Sequence, residues 1–189
     1  MPESFDALVS RAAAGDPAAL EALYRDLAPA VLGYLRGHGA REPEDLTGEV
    51  FLGVVRGLPR FRGDADDLRS WVFTIAHRRL LDERRRAARR PLSLLEPEQL
   101  RAVPEPGGDA EEEAIGRLQD RWALEALDAL TPDQRDVVLL RFIADLSVRE
   151  TARILGKNEG AVKTLTRRAL ARLQEHVDPA PFPGPRPER

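Results

Sequence analysis

Hydrophobic positions along the chain recur at helical spacing. Leu20, Leu23, Tyr24, Leu27, Val31, Tyr34 and Leu35 follow the i, i+3, i+4, i+7 rule. Asp16-Pro17 precedes them as an N-cap with proline at the first helical position, and Gly37 and Gly39 close the stretch. A second helix is predicted from about Pro43 to Leu58, stopped by Pro59. A third starts near Asp66 and runs through Leu68, Trp71, Val72, Ile75 and Ala76 into an arginine-rich end. No segment alternates as a strand does, so the predicted fold class is all-α.

The second helix departs from a simple one-sided pattern. Leu46, Val50, Phe51, Val54, Val55 and Leu58 spread over roughly half of its circumference, wider than the ~100° stripe that one buried face requires. Leu52 lies further round still, and Glu49, Gly53 and Arg56 form a narrow polar side. Two explanations stand: a helix at the centre of its own bundle, or a helix with one apolar face inward and another for a partner.

Residues 146–173 carry the sharpest local signal. Ser147-Val148-Arg149-Glu150 reads as a capping box, in which the serine caps an amide three residues on and the glutamate reaches back. Ala152, Ile154 and Leu155 form the apolar side, and Gly156 suits a left-handed stop. Asn158 or Lys157 begins the next helix, with Glu159 in its first turn. Val162, Leu165 or Thr166, Ala169 and Leu173 give the inner stripe, which leaves Lys163, Thr164, Arg167 and Arg168 outward. A short capped helix, a glycine turn and a basic helix make a helix-turn-helix, whose second helix enters the major groove of DNA. A plain helical hairpin with charged outer residues is the competing reading.

Charge sharpens this picture. The formal net charge of −3 argues against a nucleic-acid partner until its distribution is considered. Residues 78–90 hold seven arginines against Asp82 and Glu83. Residues 91–113 hold seven acidic side chains against Arg101, and residues 157–173 are again basic. Two cationic patches flank an acidic spacer, and local field rather than total charge steers a polyanion. The spacer also contains Pro91, Pro97, Pro104, Pro106 and Gly107-Gly108, so it reads as a flexible linker with a short helical turn around Ser93–Leu100. The predicted organisation is a helical domain over 1–90, a linker over 91–113, a second helical domain over 114–178 and a proline-rich tail over 179–189.

Composition excludes several chemistries. With no cysteine there is no disulfide framework, thiolate zinc site or cysteine nucleophile. His38, His77 and His176 are far apart in sequence and lack metal-ligand spacing, so no metal site is expected. There is no glycine-rich phosphate loop and no G-x-S-x-G elbow. No enzymatic activity and no cofactor are expected. Met1-Pro2-Glu3-Ser4 lacks the basic start of a secretory signal, and no apolar run approaches the ~18 residues of a membrane span. The expectation is a cytoplasmic chain without membrane insertion.

Taken in order, these segments resemble a bacterial RNA polymerase sigma factor of the sigma-70 family, in its extracytoplasmic-function (ECF) class. Glu42-Pro43-Glu44-Asp45-Leu46-Thr47-Gly48-Glu49-Val50-Phe51-Leu52 is similar to the family's polymerase-binding helix. Phe61-Arg62-Gly63-Asp64, Ser70–Ala76 and the arginine-rich end resemble its promoter-melting and −10 region. Residues 127–138 resemble the opening of its −35-binding domain, and Leu155–Lys163 the entry to its recognition helix.

The resemblance implies two helical domains, sigma2 and sigma4, on a flexible linker. It implies that core RNA polymerase is bound through Asp45, Leu46, Glu49, Val50, Phe51 and Leu52. It implies that the −10 element of promoter DNA is held as single strand by Phe61, Arg62, Arg78, Arg79, Arg84, Arg85 and Arg86. It assigns the duplex −35 element to Asn158, Lys163, Thr164, Arg167 and Arg168, and it implies an anti-sigma partner. An alternative is a helix-turn-helix regulator that binds duplex DNA without acting as an initiation factor.

Overall fold

The computed structural model describes residues 5–89 and 125–176. The expected turn near Ser93–Leu100, the acidic linker and the proline-rich tail lie outside the described residues. The first unit contains α1 (Phe5–Ala13), α2 (Pro17–Gly37), α3 (Pro43–Gly57), a 3-10 turn (Leu58–Arg60) and α4 (Ala65–Arg89). The second contains α5 (Pro132–Val138), a π turn (Leu139–Ile143), α6 (Val148–Leu155) and α7 (Glu159–His176). Among the described residues there is no strand.

Local chemistry sets the helix ends. Asp16 accepts the amides of Ala18 at 2.9 Å and Ala19 at 3.4 Å, and Arg11 Nε braces its carboxylate at 2.7 Å. The predicted start of α4 near Asp66 moves back by one residue, because the Asp64 carboxylate accepts the Asp67 amide at 2.9 Å. Both reciprocal bonds of the Ser147/Glu150 capping box form. An equivalent box, Thr131 with Gln134, starts α5. Gly156 takes φ 62°, ψ 30°, the left-handed conformation that ends α6.

α2, α3 and α4 pack around Val31, Tyr34, Leu35, Val50, Val72, Phe73 and Leu80, all fully buried. α1, which the helical reading above did not separate, adds Ala12 to this core and packs Phe5, Leu8 and Val9 against it. The second unit has two small clusters of its own, one around Val138 and Ala169 and one around Val137 and Val162. Its Leu139, Leu140, Ala144 and Leu146 belong instead to the core of the first unit.

Candidate nucleic-acid interface

α3 resolves its wide apolar arc into two faces. Leu46, Val50, Phe51 and Val54 point into the chain's own core, at no more than 8% exposure. Leu52 and Val55 point outward at 57% and 45%. Asp45 and Glu49 are exposed beside them. In this structure Leu46, Val50 and Phe51 hold the helix in place. The wide arc thus divides into an inward set of side chains and an outward set.

The 61–68 loop leads to a cleft of about 530 Å³ lined by Gly57, Arg60, Phe61, Arg62, Asp67 and Trp71. Phe61 stacks on Trp71, with ring centroids 5.4 Å apart and planes at 27°. Gly57 is needed under the indole, since a Cβ there would sit 2.6 Å from Trp71 Cζ2. Trp71 thus packs against the core and also walls the cleft. Arg62 is exposed and donates to the carbonyls of Pro59 at 3.2 Å and Phe61 at 2.6 Å. These bonds fix the loop's rim.

The five arginines assigned to α4 do not share one face. At about 100° per residue, Arg78, Arg79, Arg85 and Arg86 fall within an arc of roughly 120°. Arg84 falls on the inward stripe of Phe73, His77 and Leu80. Its guanidinium Nη2 donates to His38 Nδ1 and to the His38 carbonyl, both at 3.2 Å, although the side chain keeps solvent exposure. In this structure Arg84 braces α4 against the end of α2. Of the others, Arg79 lies 3.7 Å from Glu49 and Arg85 3.3 Å from Asp82, while Arg78 and Arg86 are exposed.

Two histidines that are distant in sequence bracket one tyrosine. Tyr34 Oη lies 2.9 Å from His77 Nδ1, and the Tyr34 ring meets that of His38 edge-on at 4.6 Å. Burial raises the tyrosine pKa, so the hydroxyl keeps its proton and shares a hydrogen bond with His77 Nδ1. Burial, with Arg84 beside it, holds His77 below the usual imidazole range. Burial pushes His38 down to about 3, helped by Arg84 and His77. His38 Nε2 approaches Asp136 Oδ1 at 3.4 Å. Because the ring is neutral at physiological pH, this is an imidazole N–H facing a carboxylate and not an ion pair. Burial in turn raises Asp136 to about 6. Sequence spacing gave no sign of this cluster.

In the helix-turn-helix, Asn158 is exposed and its Oδ1 accepts the Ala161 amide at 2.7 Å, capping α7. Lys157 reaches Asp133 at 2.9 Å and ties the turn to α5. Val162 and Ala169 are fully buried, and Leu165 and Leu173 pack beside them. Thr166 spends its hydroxyl on the Val162 carbonyl at 2.8 Å. Lys163, Arg167 and Arg168 are exposed and Thr164 is half-buried. Together they form one outward arc of α7. Of the buried side of α6, Ala152 holds as expected, joined by Thr151. Ile154 packs toward the first unit, and Leu155 packs both there and against the Val137–Val162 cluster.

The class these features define is an all-helical DNA-binding protein with two cationic helices, one in a helix-turn-helix and one beside an aromatic cleft. Comparison with known proteins makes it specific. Residues 23–90 match the family Sigma-70 region 2, and residues 120–173 match Sigma-70, region 4. The chain is 34% identical to the ECF RNA polymerase sigma factor ShbA of Streptomyces griseus, over 89% of this chain and 92% of ShbA. It is 39% identical to the ECF sigma factor BldN of Streptomyces coelicolor, over 88% of this chain but 63% of BldN. Among solved structures, CnrH in complex with the cytosolic domain of CnrY shares the fold, with TM-score 0.66 and 22% identity over 95% of this chain and all of that one. RpoE of Bartonella quintana does so with TM-score 0.63 and 22% identity, over 84% of this chain and 97% of that one. The chain belongs to the ECF class of sigma-70-family RNA polymerase sigma factors.

Proposed function

We propose that this chain binds core RNA polymerase and directs initiation at promoters that carry its −10 and −35 elements. The observation that supports this most strongly is the presence of two outward cationic helical faces, on α4 and α7, beside an α3 whose Leu52 and Val55 are left in water. Asp45, Glu49 and Leu52 meet the polymerase. Phe61 and Trp71 hold an unstacked base of the −10 element, with Arg62 at the rim, because capture of single-stranded DNA needs an aromatic surface beside a phosphate track. Arg78, Arg79, Arg85 and Arg86 supply that track. Lys163, Thr164, Arg167 and Arg168 read the −35 duplex, with Asn158 placing the helix end near phosphate. An anti-sigma protein is the further partner, covering one or more of these faces. The chain itself carries no chemistry, which belongs to the polymerase, and it works in the cytoplasm.

A base-by-base scan tests the −35 assignment. Arg167→Ala or Lys163→Ala is expected to cost about 1–3 kcal/mol at one −35 position and to relax selectivity there. An equal loss on every −35 sequence would reduce the contact to phosphate alone.

A further inference from the structure

The entry to α7 carries one acidic side chain on an otherwise basic helix. Between residues 157 and 173 Glu159 is the only acid, against Lys157, Lys163, Arg167, Arg168 and Arg172. The two residues before it are committed within the chain. Lys157 Nζ reaches Asp133 at 2.9 Å, and Asn158 Oδ1 accepts the Ala161 amide at 2.7 Å. Gly160 leaves room for that cap, since a Cβ there would already lie 3.3 Å from Asn158 Oδ1. Glu159 itself is exposed. Lys163 stands four residues on, in the spacing and order that favour a Glu–Lys pair on a helix. Neither side chain takes an ion-pair partner among the described residues. The fold therefore presents a free carboxylate at the end of α7 that leads into the DNA-reading arc.

We propose that Glu159 is a specificity-determining residue for the −35 element: its carboxylate reads a cytosine near one edge of the site by accepting from that base's N4 amino group. The inference rests on the function proposed above and deepens its −35 reading. In a helix-turn-helix the first residues of the second helix meet base edges in the major groove. Glu159 is the first residue of α7. At about 100° per residue it leads a row with Lys163 and Arg167, each about one turn further on and about 40° round. From Glu159 to Arg167 the helix rises about 12 Å, the length of three to four base pairs at about 3.4 Å each. A carboxylate in that row repels every phosphate and offers acceptors only, so it is favourable only against a donor. Cytosine and adenine alone show an amino donor in the major groove, and adenine sets its N7 acceptor beside that donor. The carboxylate thus meets repulsion at adenine, guanine and thymine and none at cytosine, which makes it a device of exclusion as much as of attraction. A negative charge here also suits the positive end of the helix, a role that asks nothing of DNA. The two roles separate on substitution.

Selection from a promoter library randomised through the −35 element, with the full chain assembled on core RNA polymerase, tests this. The unaltered chain should favour cytosine about fivefold or more at one position. That position should lie within about four base pairs of the one that responds to Arg167→Ala. Glu159→Gln keeps the side-chain length but offers a donor beside an acceptor, the pair that matches adenine N6 and N7. It should move the preference at that position from cytosine to adenine and leave the other −35 positions as they were. Glu159→Ala should level the position altogether. A melting curve accompanies each variant. A charge that serves only the helix end would lower the melting temperature of Glu159→Gln and alter no base preference, and that result overturns the assignment. A −35 element read without any cytosine preference, or with one that survives both substitutions, overturns it equally. Failure of the underlying function looks different: the unaltered chain would then discriminate at no −35 position, and Glu159 would fall with it. Discrimination that persists elsewhere in the element, unchanged by Glu159→Gln at every position, strikes Glu159 alone.

Discussion

At the scale of single residues, Arg84 shows how position overrides type. It follows Leu80 by four residues and His77 by seven, so it continues the inward stripe of α4 despite standing first in an Arg-Arg-Arg run. Arg84→Ala is expected to cost about 1–2 kcal/mol in urea unfolding, through the two bonds lost to His38. It should leave the salt dependence of promoter binding unchanged. Arg78→Ala and Arg86→Ala should do the reverse, each lowering the slope of log K against log salt by about 0.7–0.9 at little cost in stability. The same neighbourhood predicts a pH response. His38 and His77 are both held neutral, His38 with a pKa of about 3. Below about pH 6.5 the unfolded chain takes up protons that these folded rings refuse, so stability falls as pH falls. Asp136, raised to about 6, acts the other way by taking a proton more readily when folded. Its range, from about 6 down to the ordinary 3.8, is shorter than that of His38 and offsets only part of the loss. Melting temperature should therefore drop between pH 7.5 and pH 5, and His38→Gln should flatten the drop. A melting curve independent of pH would contradict the buried neutral pair.

At the scale of elements, ends were legible and faces only in part. Asp16-Pro17, Ser147 with Glu150, and Gly156 each specify a local hydrogen-bond pattern that needs nothing from the rest of the chain, and each forms. Faces depend on what packs against them. The breadth of the arc on α3 was visible, but only the fold separates Val50, fully buried, from Leu52, exposed two residues later. That separation predicts a clean split. Val50→Ala should cost about 2 kcal/mol of stability. Leu52→Ser should stay within about 0.5 kcal/mol in stability yet weaken binding to core polymerase tenfold or more. Titration of labelled polymerase beside a melting curve measures both.

At the scale of the whole molecule, the all-α fold and the two basic helices could be read from periodicity and charge, because both are properties of contiguous sequence. The joint between the units could not. It needs Leu139 to meet Gly37 and His38 to meet Asp136, roughly a hundred residues away, and no local pattern encodes such a distance. The Tyr34–His77 pair was hidden for the same reason. What the joint adds is a relation between the two DNA-binding units, which residue lists for each unit alone do not contain. The most direct measurement of the central claim is run-off transcription with core RNA polymerase and this chain as the only initiation factor. The account predicts a defined start site that is lost when either the −10 or the −35 element is scrambled. Synthesis that needs another sigma factor already present, with this chain merely modulating it, would contradict the account.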